Sequence, residues 1–201
     1  MKICLFARYP QIGKVKSRLA AECDESKALF YYKKMLVRVL ENLSVFHKNL
    51  VVYYTGCDAT TAKGWLPDFK LAEQASGNLG DKLRAALNEQ YGNNSQKIAF
   101  IGADCIELTD KILKQTEKYL NDVDVVIGPS TDGGYYLLGL SVKNESLFDD
   151  INWGSEVVFE QTMNKIYEHN LSYRLLPQLS DIDYWKDLPE DWRQESEKLY
   201  A

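Results

Sequence analysis

Lys97-Ile98-Ala99-Phe100-Ile101-Gly102-Ala103-Asp104-Cys105-Ile106-Glu107-Leu108 is the stretch on which the fold turns. A short run of β-prone apolar residues, Ile98 to Ile101, halts at Gly102, and a carboxylate follows two residues later, ahead of a helix-like segment. A run that is apolar throughout suits a strand buried on both faces of a central sheet. In open α/β sheets ligands occupy the crevice beyond the carboxyl ends of the strands, so Asp104 stands where such a fold does its chemistry. Shaping the turn or capping the next helix is the commoner work of a loop aspartate, and it is the competing expectation here.

Toward the N-terminus, Lys2 to Ala7 repeats the apolar strand pattern and Ser26 to Phe46 has the three-and-four spacing of a long amphipathic helix. Leu50 to Tyr54 reads as a second strand, Lys70 to Glu73 as a short third, and Leu79 to Tyr91 as a helix broken by Gly92-Asn93-Asn94-Ser95. Toward the C-terminus, Thr109 to Asn121 is a helix with Thr109 as its N-cap, and Asp124 to Gly128 is the next strand. Strand and helix alternate up to this point, which marks a parallel sheet. The loop from Pro129 to Gly134 is too short for a helical crossover, so Tyr135 to Leu140 joins the sheet antiparallel. A helix from a Ser155 cap to about Glu168, a last strand Ser172 to Leu176 and a polar C-terminal helix complete the chain. The expected architecture is a Rossmann-like three-layer α/β/α sandwich with a mixed, mostly parallel sheet, one domain spanning residues 1–201.

Bulk properties narrow the partners. A chain of 201 residues hides roughly 70% of its unfolded surface. A formal net charge of −5 argues against nucleic acid as a partner and points to a small one. Cys4, Cys23, Cys57 and Cys105 lack zinc-like or disulfide-framework spacing, and neither a signal segment nor a membrane span is seen, so a cytoplasmic location is expected.

Three stretches carry the candidate chemistry. After the first strand, the loop from Arg8 to Leu19 is punctuated by Pro10 and Gly13 and carries Lys14, Lys16 and Arg18 on alternate positions. In a flexible loop that spacing can aim three cations at one anion, where α/β nucleotide-binding folds keep a phosphate loop; a solvated basic turn is the alternative. Asp132-Gly133-Gly134 is either a plain hairpin turn or a turn that leaves backbone space for a sugar or nucleobase. Asp181-x-Asp183 is either a platform for a hard divalent cation or a helix cap. Gly77 and Gly80 bring backbone amides toward a ligand or mark an ordinary helix entry, and Trp153 is a wall of a site or core.

Taken in order, Gly13-Lys14-Val15-Lys16-Ser17-Arg18-Leu19, Gln74-x-x-Gly77-x-Leu79-Gly80, Gly102-Ala103-Asp104-Cys105, Gly128-Pro129-x-x-Asp132-Gly133-Gly134-Tyr135-Tyr136-Leu137-Leu138-Gly139, Trp153-Gly154-Ser155 and Asp181-Ile182-Asp183 resemble the radical-SAM/selenodomain-associated transferase 1 family from end to end. Members of that family look like nucleotide-diphospho-sugar transferases of the GT-A type. Some are glycosyltransferases of arsenosugar biosynthesis, and they are similar to guanylyltransferases that activate 2-phospholactate or the molybdenum cofactor. This chain departs at Arg8, Ile12, Ser17 and Ile106, and after Asp183 at Tyr184-Trp185-Lys186.

The resemblance implies a divalent cation, Mg²⁺ or Mn²⁺, held by Asp104 and Asp183, with Asp104, Lys16 and Arg18 as catalytic groups. It implies nucleotide and phosphate contacts from Arg8, Gly13, Lys14, Lys16, Arg18, Gln74, Gly77 and Gly80, and a sugar or acceptor pocket of Asp132, Gly133, Gly134, Tyr135 and Trp153. Electrostatics agrees that the acids need company, since two carboxylates about 4 Å apart repel by roughly 4 kcal/mol at an effective dielectric of 20. The partners implied are a nucleotide sugar or nucleoside triphosphate and a small acceptor. Family likeness favours glycosyl transfer, whereas three clustered cations suit a triphosphate and nucleotidyl transfer with release of pyrophosphate. A non-catalytic nucleotide-binding protein is the alternative from another class. A serine or cysteine hydrolase is disfavoured by the absence of a Gly-x-Ser-x-Gly elbow and by the placement of His47 and His169 in helical segments.

Overall fold

The computed structural model describes residues 1–92 and 97–199. Among them, strands β1 (Lys2–Arg8), β2 (Leu50–Thr55), β3 (Lys70–Glu73), β4 (Ile98–Ile101), β5 (Val125–Pro129), β6 (Tyr135–Leu140) and β7 (Tyr173–Leu175) form one sheet. Their order is β3-β2-β1-β4-β6-β5-β7, and every neighbouring pair is parallel except the two made by β6. The mixed sheet follows from the short link between β5 and β6, which permits only a hairpin.

The strands are apolar on both faces because both are covered. Ile3, Leu5, Leu50 and Val52 pack with Leu36 and Val39 of helix α2 (Glu25–Asn42) and Leu113 of helix α5 (Asp110–Tyr119). Cys4, Val51 and Tyr53 point the other way, toward Leu83 and Leu87 of helix α4 (Leu79–Gly92) and Met163 and Ile166 of helix α6 (Val158–Glu168). A third cluster lies off the sheet. It joins Leu19 of helix α1 (Ser17–Cys23), Tyr31 and Met35 of α2, Ile182, Leu188, and Trp192 of helix α7 (Glu190–Leu199). The nominally polar C-terminal helix is therefore anchored by one buried indole.

From β1 the order runs through β2 to β3 on one side and to β4 on the other. The crevice beyond β1 and β4 is the switch point at which such sheets bind ligands. The loop between β1 and α1, with Lys14 and Lys16, leaves β1 there, Arg18 follows in the first turn of α1, and Asp104 follows β4.

Several local expectations change. Helix α1 and helix α3 (Ala59–Trp65) are short elements that the apolar pattern does not reveal. The expected helix from Ser26 to Phe46 ends at Asn42 and continues as a 3-10 segment, Ser44–Asn49. Leu43 and Phe46 are both buried and stand three apart, a spacing common to both helix types, so the pattern does not distinguish them. Ser155 does not cap α6: its hydroxyl donates to the Asn152 carbonyl at 2.6 Å, and Val157 takes the cap position. Thr109 caps α5 as expected, accepting from the Ile112 amide. In the expected break after α4, Asn93 to Ser95 lie outside the described residues.

Candidate active site

Three chain segments meet beyond the carboxyl ends of β1 and β4. The Lys16 ammonium donates to Oδ2 of Asp104 at 2.8 Å and to Oδ1 of Asp183 at 2.9 Å, and Nη1 of Arg18 donates to Oδ2 of Asp183 at 2.8 Å. The two carboxylates therefore converge, and the cation between them belongs to the chain itself. Only 8% of the Lys16 side chain is exposed, against 51% for Arg18. Burial opposes the charge on Lys16, but attraction to Asp104 and then Asp183 outweighs it, so the ammonium is held above the ordinary lysine range. For Asp183 burial works the same way and is outweighed by Lys16 and Arg18, which hold its carboxyl below the usual range.

The arrangement rests on local packing. Ile182 is buried in the third cluster beside Leu19, and its amide donates to the Asp104 carbonyl at 3.2 Å. With Ile182 pointing into the core, its neighbours Asp181 and Asp183 both turn toward the site. A Cβ at position 102 would stand 2.6 Å from Oδ1 of Asp104, so Gly102 leaves the room that this carboxylate occupies. Neither acid caps a helix. Thr109 caps α5, and the amides of Asp183 and Tyr184 donate to Asp187. Tyr32 fixes the end of β1, its hydroxyl accepting from the Arg8 amide at 2.8 Å and donating to the Arg8 carbonyl at 2.7 Å.

Two concavities adjoin, sharing Arg18 and Asp183 in their walls. The smaller, about 300 Å³, is lined by Arg8, Lys14, Lys16 and Arg18 against Asp104 and Asp183, and is basic. The larger, about 780 Å³, is lined by Asp132, Glu156, Asp181 and Asp183 with Arg18 as its cation, and by Tyr135, Trp153 and Tyr184. Oδ1 of Asp181 is buried and meets no hydrogen-bond partner among the described residues. Burial, followed by repulsion from Asp104 and Asp132, pushes the Asp181 carboxyl up to about 7.

The expected site residues separate accordingly. Lys16 and Arg18 converge on Asp183, whereas Lys14 is exposed on the wall of the basic pocket, so the three cations do not share one anion. Gly13 takes a left-handed turn at φ 69°, with the Lys14 amide donating to the Gln11 carbonyl at 3.1 Å. Gln74 donates to the carbonyls of Tyr53 at 2.8 Å and Ala7 at 3.3 Å, tying β1 to β2. Beyond Gly77, Asn78 and Asp81 cap each other's amides, an ordinary helix entry. Gly80 is needed because a Cβ there would stand 2.5 Å from Nε1 of Trp153. Gln74, Gly77 and Gly80 line neither concavity.

The Asp132 loop corrects another expectation. Gly133 does not leave open space: at φ +87° its missing Cβ would lie 2.0 Å from the Glu156 carbonyl oxygen, so this glycine lets two backbones meet. Oδ1 of Asp132 accepts from the Gly134 amide at 2.9 Å and from the Ser130 hydroxyl, which makes it a turn former. Asp132, Gly134, Tyr135 and Trp153 nonetheless line the larger cleft. Asp181, Ser130, Glu156 and Tyr184 are among the further lining groups. The Asp-x-Asp spacing carried the signal for Asp181; nothing local marks the others.

A family model described as "Uncharacterized protein conserved in bacteria (DUF2064)" matches residues 40–155, more than half of the chain. The chain belongs to this family. The matched span takes in Asp104, Asp132 and Trp153 and excludes Lys16 and Asp183. Among curated proteins no match is found. Among solved structures, a Desulfovibrio desulfuricans G20 protein provisionally assigned as a nucleotide-diphospho-sugar transferase superposes with a TM-score of 0.89 at 26% identity, over 99% of this chain and 97% of that one. A cytidylyltransferase from Leptospira borgpetersenii gives 0.55 at 15% identity, over 98% and 94% of the two chains. The inositol-1-phosphate CTP transferase from T. maritima gives 0.57 at 12% identity, over 100% and 96%. The α/β fold is that of nucleotide-using transferases.

Proposed function

We propose that this chain is a transferase working on a nucleotide-activated donor, and that it moves a glycosyl group from a nucleotide-diphospho-sugar to a small acceptor without a phosphate of its own. The observation that carries this is the opposite polarity of two adjoining concavities at the switch point of the sheet. A diphosphate suits the basic pocket, where Arg8, Lys14 and Arg18 offer charge-assisted hydrogen bonds. The acidic, aromatic-walled cleft suits a polyhydroxy acceptor, since carboxylates accept from hydroxyls and repel a second phosphate. The name given to the Desulfovibrio protein supports the same assignment, as does the resemblance to radical-SAM-associated transferases, including those of arsenosugar biosynthesis.

In this scheme Lys14 and Arg8 bind and orient the donor phosphates, Arg18 stands between the two compartments, and Trp153 and Tyr135 wall the acceptor. Asp132 holds the rim of the acceptor cleft through its turn. The carboxylates of Asp104 and Asp183 fit a Mg²⁺ or Mn²⁺ ion, because they already close on one buried cation and Mg²⁺ commonly takes one or two carboxylates beside phosphate oxygens. Such an ion would supply Lewis-acid stabilisation of the departing nucleoside diphosphate.

Nucleotidyl transfer is the second reading, favoured by the number of cations around the basic pocket, which suits a triphosphate. A thermal-shift screen of nucleoside triphosphates and nucleotide sugars, with and without Mg²⁺, followed by product analysis, separates the two. Glycosyl transfer releases a nucleoside diphosphate. Pyrophosphate formed from a triphosphate overturns it in favour of nucleotidyl transfer, and binding without any turnover leaves a nucleotide-binding protein.

A further inference from the structure

Lys16 occupies the position between Asp104 and Asp183 that the proposed function gives to a divalent cation. We infer that Lys16 is a resident counter-ion that keeps this carboxylate pair closed to metal until donor phosphates in the adjoining basic pocket draw its ammonium away. The inference rests on the metal assignment above and adds an order to it: metal and donor bind together, not independently.

Three observations carry it. First, the ammonium bonds one oxygen of each carboxylate and Arg18 takes a further oxygen of Asp183, so two negative charges are already matched by two positive ones. A dication entering with Lys16 in place would meet a neutralised pair and a cation at contact range. Second, the same lysine lines the pocket of Arg8 and Lys14, so a phosphate bound there is within the sweep of its side chain. Third, Lys16 is the N-cap residue between the loop and α1. Its backbone is left-handed, φ 47° and ψ 53°, a conformation that non-glycine residues seldom keep and that its side chain's two acid contacts help to hold.

Coupling is reciprocal: if phosphate frees the pair for metal, metal strengthens phosphate binding by the same factor. It also implies that removing the ammonium creates a metal site in the nucleotide-free protein.

The test titrates Mn²⁺ alone, following loss of the free-ion paramagnetic resonance signal, against the full chain and against Lys16→Met and Lys16→Gln, each checked for folding by circular dichroism. Both variants should bind Mn²⁺ about tenfold or more tightly than the parent, within the usual range of coupling between sites. Adding Asp104→Asn to Lys16→Met should abolish the gain. Folded variants with no gain in Mn²⁺ affinity overturn the inference.

Should neither variant fold, the parent decides, through the ¹⁵N resonance of the Lys16 ammonium. Mg²⁺ alone should leave it unmoved, and Mg²⁺ with inorganic pyrophosphate should shift it. A shift with Mg²⁺ alone, or none with both, overturns the inference. Failure of the functional reading looks different: no nucleotide or nucleotide sugar binds in the screen, whatever the Mn²⁺ titrations give.

Discussion

The basic pocket behind Lys16 and the acidic cleft in front of Asp132 share Arg18 and Asp183, yet they are built and charged differently. The pocket comes from the loop after β1, where cations outnumber acids and one lysine is buried in a doubly bonded position. The cleft comes from the β5–β6 turn, the segment before α6 and the loop residues Asp181–Asp183, where four acids face one arginine among aromatic walls. Asp183, next to the buried Ile182, and Arg18 stand in the walls of both. The contrast teaches that one short segment can serve two compartments, so substitutions should sort by the compartment they touch.

The largest effect should come from the carboxylate pair in the basic pocket. Asp104→Asn removes one jaw of the carboxylate pair and one partner of Lys16, and turnover should fall by about 10²–10³-fold, the scale on which loss of a positioned electrostatic group is felt. Steady-state kinetics with the nucleotide sugar found in the screen measures it; near-normal turnover would remove Asp104 from the machinery. Next is the anchor. Ile182→Ala deletes a buried side chain from the third cluster and should cost about 2–5 kcal/mol in a denaturant melt, lowering function in both compartments at once.

Lys14→Ala touches the basic pocket alone. It should weaken nucleotide binding by about tenfold, the loss of one charged hydrogen bond, while the KM for acceptor holds. An equal rise in acceptor KM would break the division of labour. The smallest effect is on stability and depends on pH. The Asp181 carboxyl is held protonated up to about 7, so the folded chain resists its ionisation; its contribution to stability is present below the ordinary carboxylate pKa and is lost as pH rises toward 7. Asp181→Asn should therefore raise the melting temperature at pH 8 and change it little at pH 4.

How much of this was legible beforehand follows from range. The sheet was, because β1, β4 and β5 are apolar runs that only a doubly covered sheet explains, and the short β5–β6 link forces the one reversal. Asp104 was legible as an acid at a strand end, and Asp183 through the Asp-x-Asp spacing. The lysine between them was legible as a cation of a phosphate loop but not as their partner: only the tertiary contact over 167 positions in sequence joins it to Asp183. Gly133 misled for the opposite reason, and Gly80 has a use of the same kind. Each serves a close packing contact, with the Glu156 backbone and with Trp153, that no local pattern contains. Short helices such as α1 and α3 escape because a single buried residue in each leaves no period to read.

The central claim, that donor phosphates enter the basic pocket and not the acidic cleft, is tested most directly by a crystal structure with the nucleoside diphosphate giving the largest thermal shift. The account predicts the diphosphate between Lys14, Arg8 and Arg18, on the Lys16 side of Asp183. Phosphates seated beside Asp132 and Trp153 would contradict it.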